Sequence, residues 1–193
     1  MFYKFARFIV NCYITVYYRY SIIGKENIPQ EGGFIICSNH IHWADPVIIA
    51  CKGLKYPIYF LGKIELFKNK FFSTVLKHLN VIPVKRGESD VHAIKNALRV
   101  LKSNKVLGIF PEGTRVKAGE EKKPEGGMAL LAIKSKVPIL PIGIQGDYSF
   151  GSTIHLHIGE PIILSDYFDK RMNKEDLENI SLRIMQEIKN LML

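Results

Sequence analysis

The chain is expected to fold as one α/β domain, a sheet sandwiched with helices, and three observations carry that expectation. Six short apolar runs of strand length recur at 34–37, 58–61, 81–84, 106–110, 139–144 and 153–158. Between and after them lie stretches whose apolar residues repeat every three or four positions, the period of a helix with one buried face. The chain has 193 residues, 47% of them hydrophobic. That is enough for a full core, and no linker, repeat or low-complexity tract divides it.

In chain order, residues 1–20 come first, crowded with aromatics (Phe2, Tyr3, Phe5, Phe8, Tyr13, Tyr17, Tyr18, Tyr20) and carrying Lys4, Arg7 and Arg19. The charge-free stretch 8–18 is too short to cross a bilayer, which takes about 20 apolar residues. Aromatics flanked by cations suit the membrane interface instead, and no cleavage pattern of small residues follows. The expected division is an interfacial helix over 1–22 and a core over 23–193, with a second aromatic-basic patch at Phe67-Lys68-Asn69-Lys70-Phe71-Phe72. Val91–Lys102 places Val91, Ile94, Ala97, Leu98 and Leu101 on one helical stripe. A second helix is expected at 127–136, opened by Gly126-Gly127. A third, over 174–193, repeats Leu177, Ile180, Ile184, Ile188 and Leu191 for core packing. In the strand at 153–158 polar and apolar residues alternate, so one of its faces should be lightly covered.

Chemistry gathers where the apolar runs end. The first runs into Ser38-Asn39-His40-Ile41-His42-Trp43-Ala44-Asp45-Pro46. A histidine takes a proton near neutral pH, and a carboxylate on its other ring nitrogen fixes the tautomer and stabilises the imidazolium. His40 and Asp45 can meet if the chain turns into a helix at Asp45-Pro46, a cap followed by proline. The run 106–110 leads into Pro111-Glu112-Gly113-Thr114-Arg115, where glycine admits backbone N–H groups and arginine offers a planar fork for phosphate. The run at 81–84 ends in Lys85-Arg86-Gly87. In open α/β sheets ligands collect at the carboxyl ends of strands.

These blocks together resemble the 1-acylglycerol-3-phosphate acyltransferase (PlsC-like) family of glycerolipid acyltransferases. The likeness runs in order through Gly24-Lys25-Glu26-Asn27-Ile28-Pro29, Asn39-His40 with Asp45, and Gly62-Lys63 with Glu65-Leu66. It continues through the strand 81–84 with Arg86, then Phe110-Pro111-Glu112-Gly113-Thr114-Arg115 and Val137-Pro138-Ile139-Leu140-Pro141-Ile142. The resemblance implies a single-domain α/β sandwich of the glycerolipid acyltransferase type. The implied reaction moves a fatty acyl group from acyl carrier protein or acyl-CoA to the sn-2 hydroxyl of lysophosphatidic acid, making phosphatidic acid without a cofactor. His40 would be the base and Asp45 its partner. Asn39, Lys63, Arg86, Glu112, Gly113, Thr114 and Arg115 would serve the substrates, with Arg86 and Arg115 on the phosphate. Backbone N–H groups or Lys63 would meet the oxyanion, and the cytoplasmic membrane face would be the site of work. Other lysophospholipids or glycerol 3-phosphate are alternative acceptors. The chain departs from the family at His42, where a serine is common, so the choice of base between two imidazoles rests on the motif. Asn80 and Lys85 replace a glycine and an aspartate, and Glu125 falls near a position often basic.

Composition bounds the remaining classes. A net charge of +9 implies an anionic partner. No helix-turn-helix, RNP or zinc-finger pattern accompanies the charge, so an anionic lipid surface, a phosphate-bearing substrate or an acidic carrier is expected rather than nucleic acid. Cys12, Cys37 and Cys51 show no ligand spacing and are expected as free thiols. Two distant alternatives remain: a metallohydrolase using His40-Ile41-His42 with His155-Leu156-His157, and a lipid-binding module without turnover. There is no P-loop and no dinucleotide fingerprint.

Overall fold

The computed structural model describes residues 2–54, 56–85, 90–116, 120 and 122–193. It is built on a sheet of seven strands: β1 (Arg19–Ile23), β2 (Ile35–Ser38), β3 (Ile58–Lys63), β4 (Val81–Val84), β5 (Val106–Ile109), β6 (Ile139–Gln145) and β7 (Thr153–Ile158). Their order is β1-β7-β6-β2-β5-β3-β4, and only the β6–β7 pair is antiparallel. The parallel half, β6-β2-β5-β3-β4, therefore points all its carboxyl ends to one edge. Strands β2 and β5 are buried throughout, as a parallel strand covered on both faces must be.

Alternate residues of the central strands feed two cores. Ile35, Cys37, Leu107, Ile109 and Ile139 pack under α4 (Val91–Lys102), α5 (Gly127–Ser135) and α6 (Lys174–Asn190), through Ala97, Leu101, Leu131, Ile180, Ile184 and Ile188. On the other face Phe34, Ile36, Val106, Leu140 and Ile142 meet Ile14 of α1 (Phe2–Tyr17), Tyr18, and Ile48 of α2 (Asp45–Ile48). The α4 helix begins where Asp90 accepts the N–H of Ala93, and α6 where Asn173 and Asp176 form a reciprocal capping box. The six expected strands are all present, α4 packs Ile94, Ala97, Leu98 and Leu101 inward while Val91 in its first turn is 55% exposed, and β7 alternates buried and half-buried residues as its sequence does.

Three differences from the sequence reading have physical causes. The strand β1 was not expected. It pairs parallel with β7 from Arg19↔Thr153 to Ile23↔His157, so the expected boundary after residue 22 falls inside the sheet. A short helix, α3 (Lys70–His78), starts in the aromatic-basic patch, with Asn69 capping Phe71 and Phe72 N–H. And Asp45 is not the cap of α2: Ala44 holds that position, and the Asp45 carboxylate turns back to the preceding loop.

The α1 helix divides its surface. Val10, Ile14 and Tyr17 pack inward at helical spacing, while Phe5, Phe8, Tyr13 and Val16 are 62%, 66%, 62% and 79% exposed. At 16 residues it is about 24 Å long. Among the described residues no helix is long and apolar enough to cross a membrane.

Gly108 of β5 lies opposite Phe60 of β3, and a Cβ there would come within 2.3 Å of the Phe60 ring. The bare backbone lets that ring lie across the strand and stack parallel with Phe110, 6.0 Å away. Gly108→Ala is expected to destabilise the fold by roughly 1–3 kcal/mol, the usual cost of overpacking. Adding Phe60→Leu should recover most of the loss in denaturant melts; an additive double variant would show that the ring is not what the glycine accommodates.

Candidate active site

The edge of the sheet where the parallel strands end collects the residues singled out in the sequence. His40 leaves β2, Glu112 to Arg115 leave β5, Lys63 ends β3 and Lys85 follows β4. Arg86 lies outside the described residues.

His40 is held on every side. Its Nδ1 is 2.8 Å from Oδ2 of Asp45. Its backbone N–H donates to Glu112 Oε2 at 2.9 Å, and its carbonyl accepts the N–H of Val116 at 2.8 Å. The ring stacks on Phe110 at 4.3 Å between centroids. Phe110 is itself backed by Phe60, so Gly108 underlies the placement of the imidazole. With 14% of its side chain exposed, His40 remains reachable.

Asp45 is fully buried and richly satisfied. Besides His40, its Oδ2 accepts the N–H groups of Ile41 and His42, each at 2.8 Å. Its Oδ1 accepts the hydroxyl of Tyr148 from the loop after β6. A buried charge needs such partners. The two backbone amides that follow His40 are thereby committed to the carboxylate and do not face an oxyanion.

The two imidazoles are distinguished by this geometry. His42 offers Asp45 only its backbone N–H; its ring accepts from the N–H of Ala44 at 3.3 Å and lies 4.2 Å from the Tyr148 ring. Burial depresses its pKa, with Arg115 and His40 adding to the effect against the opposing pull of Asp45. Of the two rings, only that of His40 bonds to the Asp45 carboxylate. Among the described residues no three His, Cys, Asp or Glu side chains gather as a metal-holding group.

The remaining expected residues fall into two kinds. Asn39 is buried, and its amide donates to the carbonyl of Ile144 and accepts its N–H, both at 2.8 Å. Both ends of that side chain are spent on splicing the β2 exit to β6. Gly113 turns the chain with φ +67°, its N–H bonded to the Phe110 carbonyl, and a Cβ there would meet a Glu125 oxygen at 2.9 Å. This close approach gives Glu125 a local role in the turn, where its own N–H donates to the Pro111 carbonyl. Thr114 and Arg115 are exposed, and among the described residues no carboxylate pairs with Arg115. Lys63 is half-exposed, 3.7 Å from Glu65. Asn80, which stands for a family glycine, has φ +62°, a left-handed conformation that asparagine tolerates better than most residues. The three cysteines are free, with Cys37 buried and Cys12 exposed.

Tyr148 escaped the sequence reading. It sits in no motif, and its approach to Asp45 depends on a loop conformation with φ +59°. A lone tyrosine after a strand gives no signal of its own.

Glu112 is 7% exposed, and burial with the neighbouring Asp45 charge pushes its pKa up to about 7. The His40 N–H and the charges of Lys122 and Lys189 act in the opposite direction. A carboxyl whose pKa is higher folded than unfolded binds more protons in the folded state, so stability is lost as pH climbs from the ordinary value towards the folded one. Glu112→Gln keeps an acceptor for the His40 N–H without the charge. Its melting temperature should gain on the unmodified protein as pH rises from about 4.5 to about 7 and then hold level. A pH-independent difference would refute the assignment of that titration to Glu112.

Comparison with known proteins places the chain in a family. The Acyltransferase family model matches residues 19–145. A 1-acyl-sn-glycerol-3-phosphate acyltransferase of Bacillus subtilis (strain 168) is 31% identical over 194 residues, spanning 98% of this chain and 96% of the relative. One of Streptococcus pneumoniae is 32% identical over 204 residues, spanning 99% and 73%. The crystal structure of the 1-acyl-sn-glycerophosphate (LPA) acyltransferase PlsC from Thermotoga maritima shares the fold. Its TM-score is 0.71 at 24% identity, over 98% of this chain and 80% of that one. The matched stretch runs from β1 to the end of β6 and carries both the His40–Asp45 pair and the Glu112 turn: the chain belongs to the Acyltransferase family.

Proposed function

We propose that the protein transfers a fatty acyl group from a thioester, acyl carrier protein or acyl-CoA, to the sn-2 hydroxyl of 1-acylglycerol 3-phosphate, forming phosphatidic acid. The carrying observation is the 2.8 Å contact of His40 Nδ1 with a buried Asp45, which leaves Nε2 as the basic nitrogen. In this reading Nε2 removes the acceptor's hydroxyl proton as its oxygen attacks the thioester carbonyl. Collapse of the tetrahedral intermediate breaks the C–S bond, and the imidazolium returns the proton to the departing thiolate. Asp45 holds the ring and stabilises its charged form, the role a buried aspartate has beside a catalytic histidine. The substrate's alcohol takes the place of an enzyme nucleophile, and Cys37, whose thiol burial pushes up, is unsuited to be one.

Arg115, exposed at the rim beside the dyad, fits the acceptor phosphate, with Arg86 as its proposed companion. Gly113 and Thr114 shape that rim, and Glu112 supports His40 through its backbone. Asn39 serves the substrate indirectly, by fixing the strand exit from which His40 departs. Lys63 is the proposed oxyanion partner, since the Ile41 and His42 amides are occupied.

The relatives' names support the acceptor; the charge of +9 suits both a phosphate-bearing acceptor and an anionic bilayer. The exposed aromatics of α1, with Phe71 and Phe72 of α3 at 71% and 59% exposure, support peripheral attachment at the cytoplasmic membrane face. The edge contact of Phe2 with His78 joins the start of α1 to the end of α3.

His40→Ala should lower turnover of labelled acyl thioester with 1-acylglycerol 3-phosphate by about a hundredfold or more. His42→Ala should keep measurable activity, and the opposite ranking would move the base to His42. For the membrane, Phe5→Ser with Phe8→Ser should weaken sedimentation with anionic vesicles by about tenfold or more, since each buried Phe is worth roughly 1.5–3 kcal/mol. Their exposure means that the melt should stay unchanged. Undiminished vesicle binding by that double variant would remove α1 from the membrane contact.

A further inference from the structure

The Asp45 carboxylate has two oxygens, and only one of them faces His40. The other accepts a hydrogen bond from the Tyr148 hydroxyl, 103 positions further along the chain. We propose that Tyr148 is a positioning residue for acyl transfer, fixing the carboxylate that in turn orients His40. This rests on the reading of His40 as the base.

Several independent features place this hydroxyl deliberately. Tyr148 adopts φ +59°, a conformation that costs energy for a bulky residue and persists only where surrounding contacts hold it. Those contacts come from the junction of α1 and β1. The Tyr18 hydroxyl donates to the Tyr148 carbonyl at 3.3 Å, and the two rings meet edge-on at 6.2 Å. The same loop is pinned again where the Gly151 N–H donates to the Tyr17 carbonyl at 2.8 Å and Phe150 packs edge-on against Tyr17. Tyr18 itself is 7% exposed and belongs to the core. The His42 ring lies over Tyr148 from the other side. Burial and the Asp45 charge raise the phenol's pKa, so it stays protonated and remains a donor. The N-terminal helix thus supports the dyad as well as presenting aromatics to the outside.

The hydrogen bond also fixes how the carboxylate faces the ring. With Oδ1 tied to Tyr148, Oδ2 is left to His40 and the two amides, so losing the hydroxyl frees the carboxylate to turn about its own axis. Tyr148→Phe removes that tie alone and leaves the ring contacts with Tyr18 and His42 in place.

The test is Tyr148→Phe in the full chain, with steady-state kinetics, a thermal melt and NMR spectra of the histidine rings at one fixed pH. Removing a hydrogen bond to a charged group should lower kcat by about tenfold. KM for both acceptor and thioester donor should be unchanged, the melt near that of the unmodified protein, and the His40 ring resonances shifted. Unchanged kcat or unshifted His40 resonances overturn the proposal. A lowered melt with loss of activity and unshifted His40 resonances also overturns it, because that pattern belongs to a merely structural tyrosine. Failure of the base assignment is read separately: an active His40→Ala would sink it, while the His40 resonances in Tyr148→Phe still report the coupling.

Discussion

A carboxylate buried at the exit of a sheet has to find partners for both of its oxygens, and around Asp45 that requirement organises the loop. Oδ2 gathers three donors, the His40 ring and the amides of Ile41 and His42, so the backbone winds tightly round one atom. Once wound, the loop has a single position for the imidazole. The strands supply the foundation: β2 is anchored between β5 and β6, and Asn39 continues the β6 connection one residue beyond the ladder. The cost of burying the charge is met by hydrogen bonds that also define geometry, so removing any donor disturbs shape and charge together.

The central part of this arrangement was legible in the sequence for a simple reason. Parallel strands buried on both faces are written as continuous apolar runs, and β2 and β5 are such strands, buried at every residue. The helix Val91–Lys102 was equally plain, because Ile94, Ala97, Leu98 and Leu101 recur at helical spacing and all pack into the core. By contrast, β1 is a sheet edge whose ends, Arg19 and Ile23, are exposed, and nothing in five residues announces a partner at 153. The α3 helix carries an apolar stripe, Phe71, Phe72, Val75 and Leu76, but it is short, buries none of its residues fully and opens inside an aromatic-basic patch that reads as a membrane contact. At the site, His40, Asp45 and Glu112 could be picked out by type and spacing. Tyr148 could not, because its role depends on a tertiary turn. The sense of Asp45 was also hidden: a cap for the next helix and a ligand for the preceding loop look the same in one dimension.

Functional groups and support groups alternate outward from the imidazole. Phe110 lies against His40, Phe60 behind Phe110, and Gly108 beneath Phe60. On the other side the order is Asp45, Tyr148 and Tyr18. These two lines reach into different layers of the protein, one into the sheet and one towards α1. Remote changes can thus reach the His40 imidazole by either route. The exposed residues Thr114 and Arg115 belong to neither line.

The pairing of β1 with β7 has a consequence for how the chain is made. Residue 19 lies beside residue 153, so the sheet's outer edge cannot close until nearly four-fifths of the polypeptide has left the ribosome. During that interval the N-terminal helix has none of the β7 or loop contacts that later fix its end, while its aromatic residues are already outside. A nascent chain of this design carries α1 exposed before the loop bearing Tyr148 can brace Asp45. Topology thereby sets the order of assembly, with the last strand to arrive completing the support beneath Tyr18 and Tyr148.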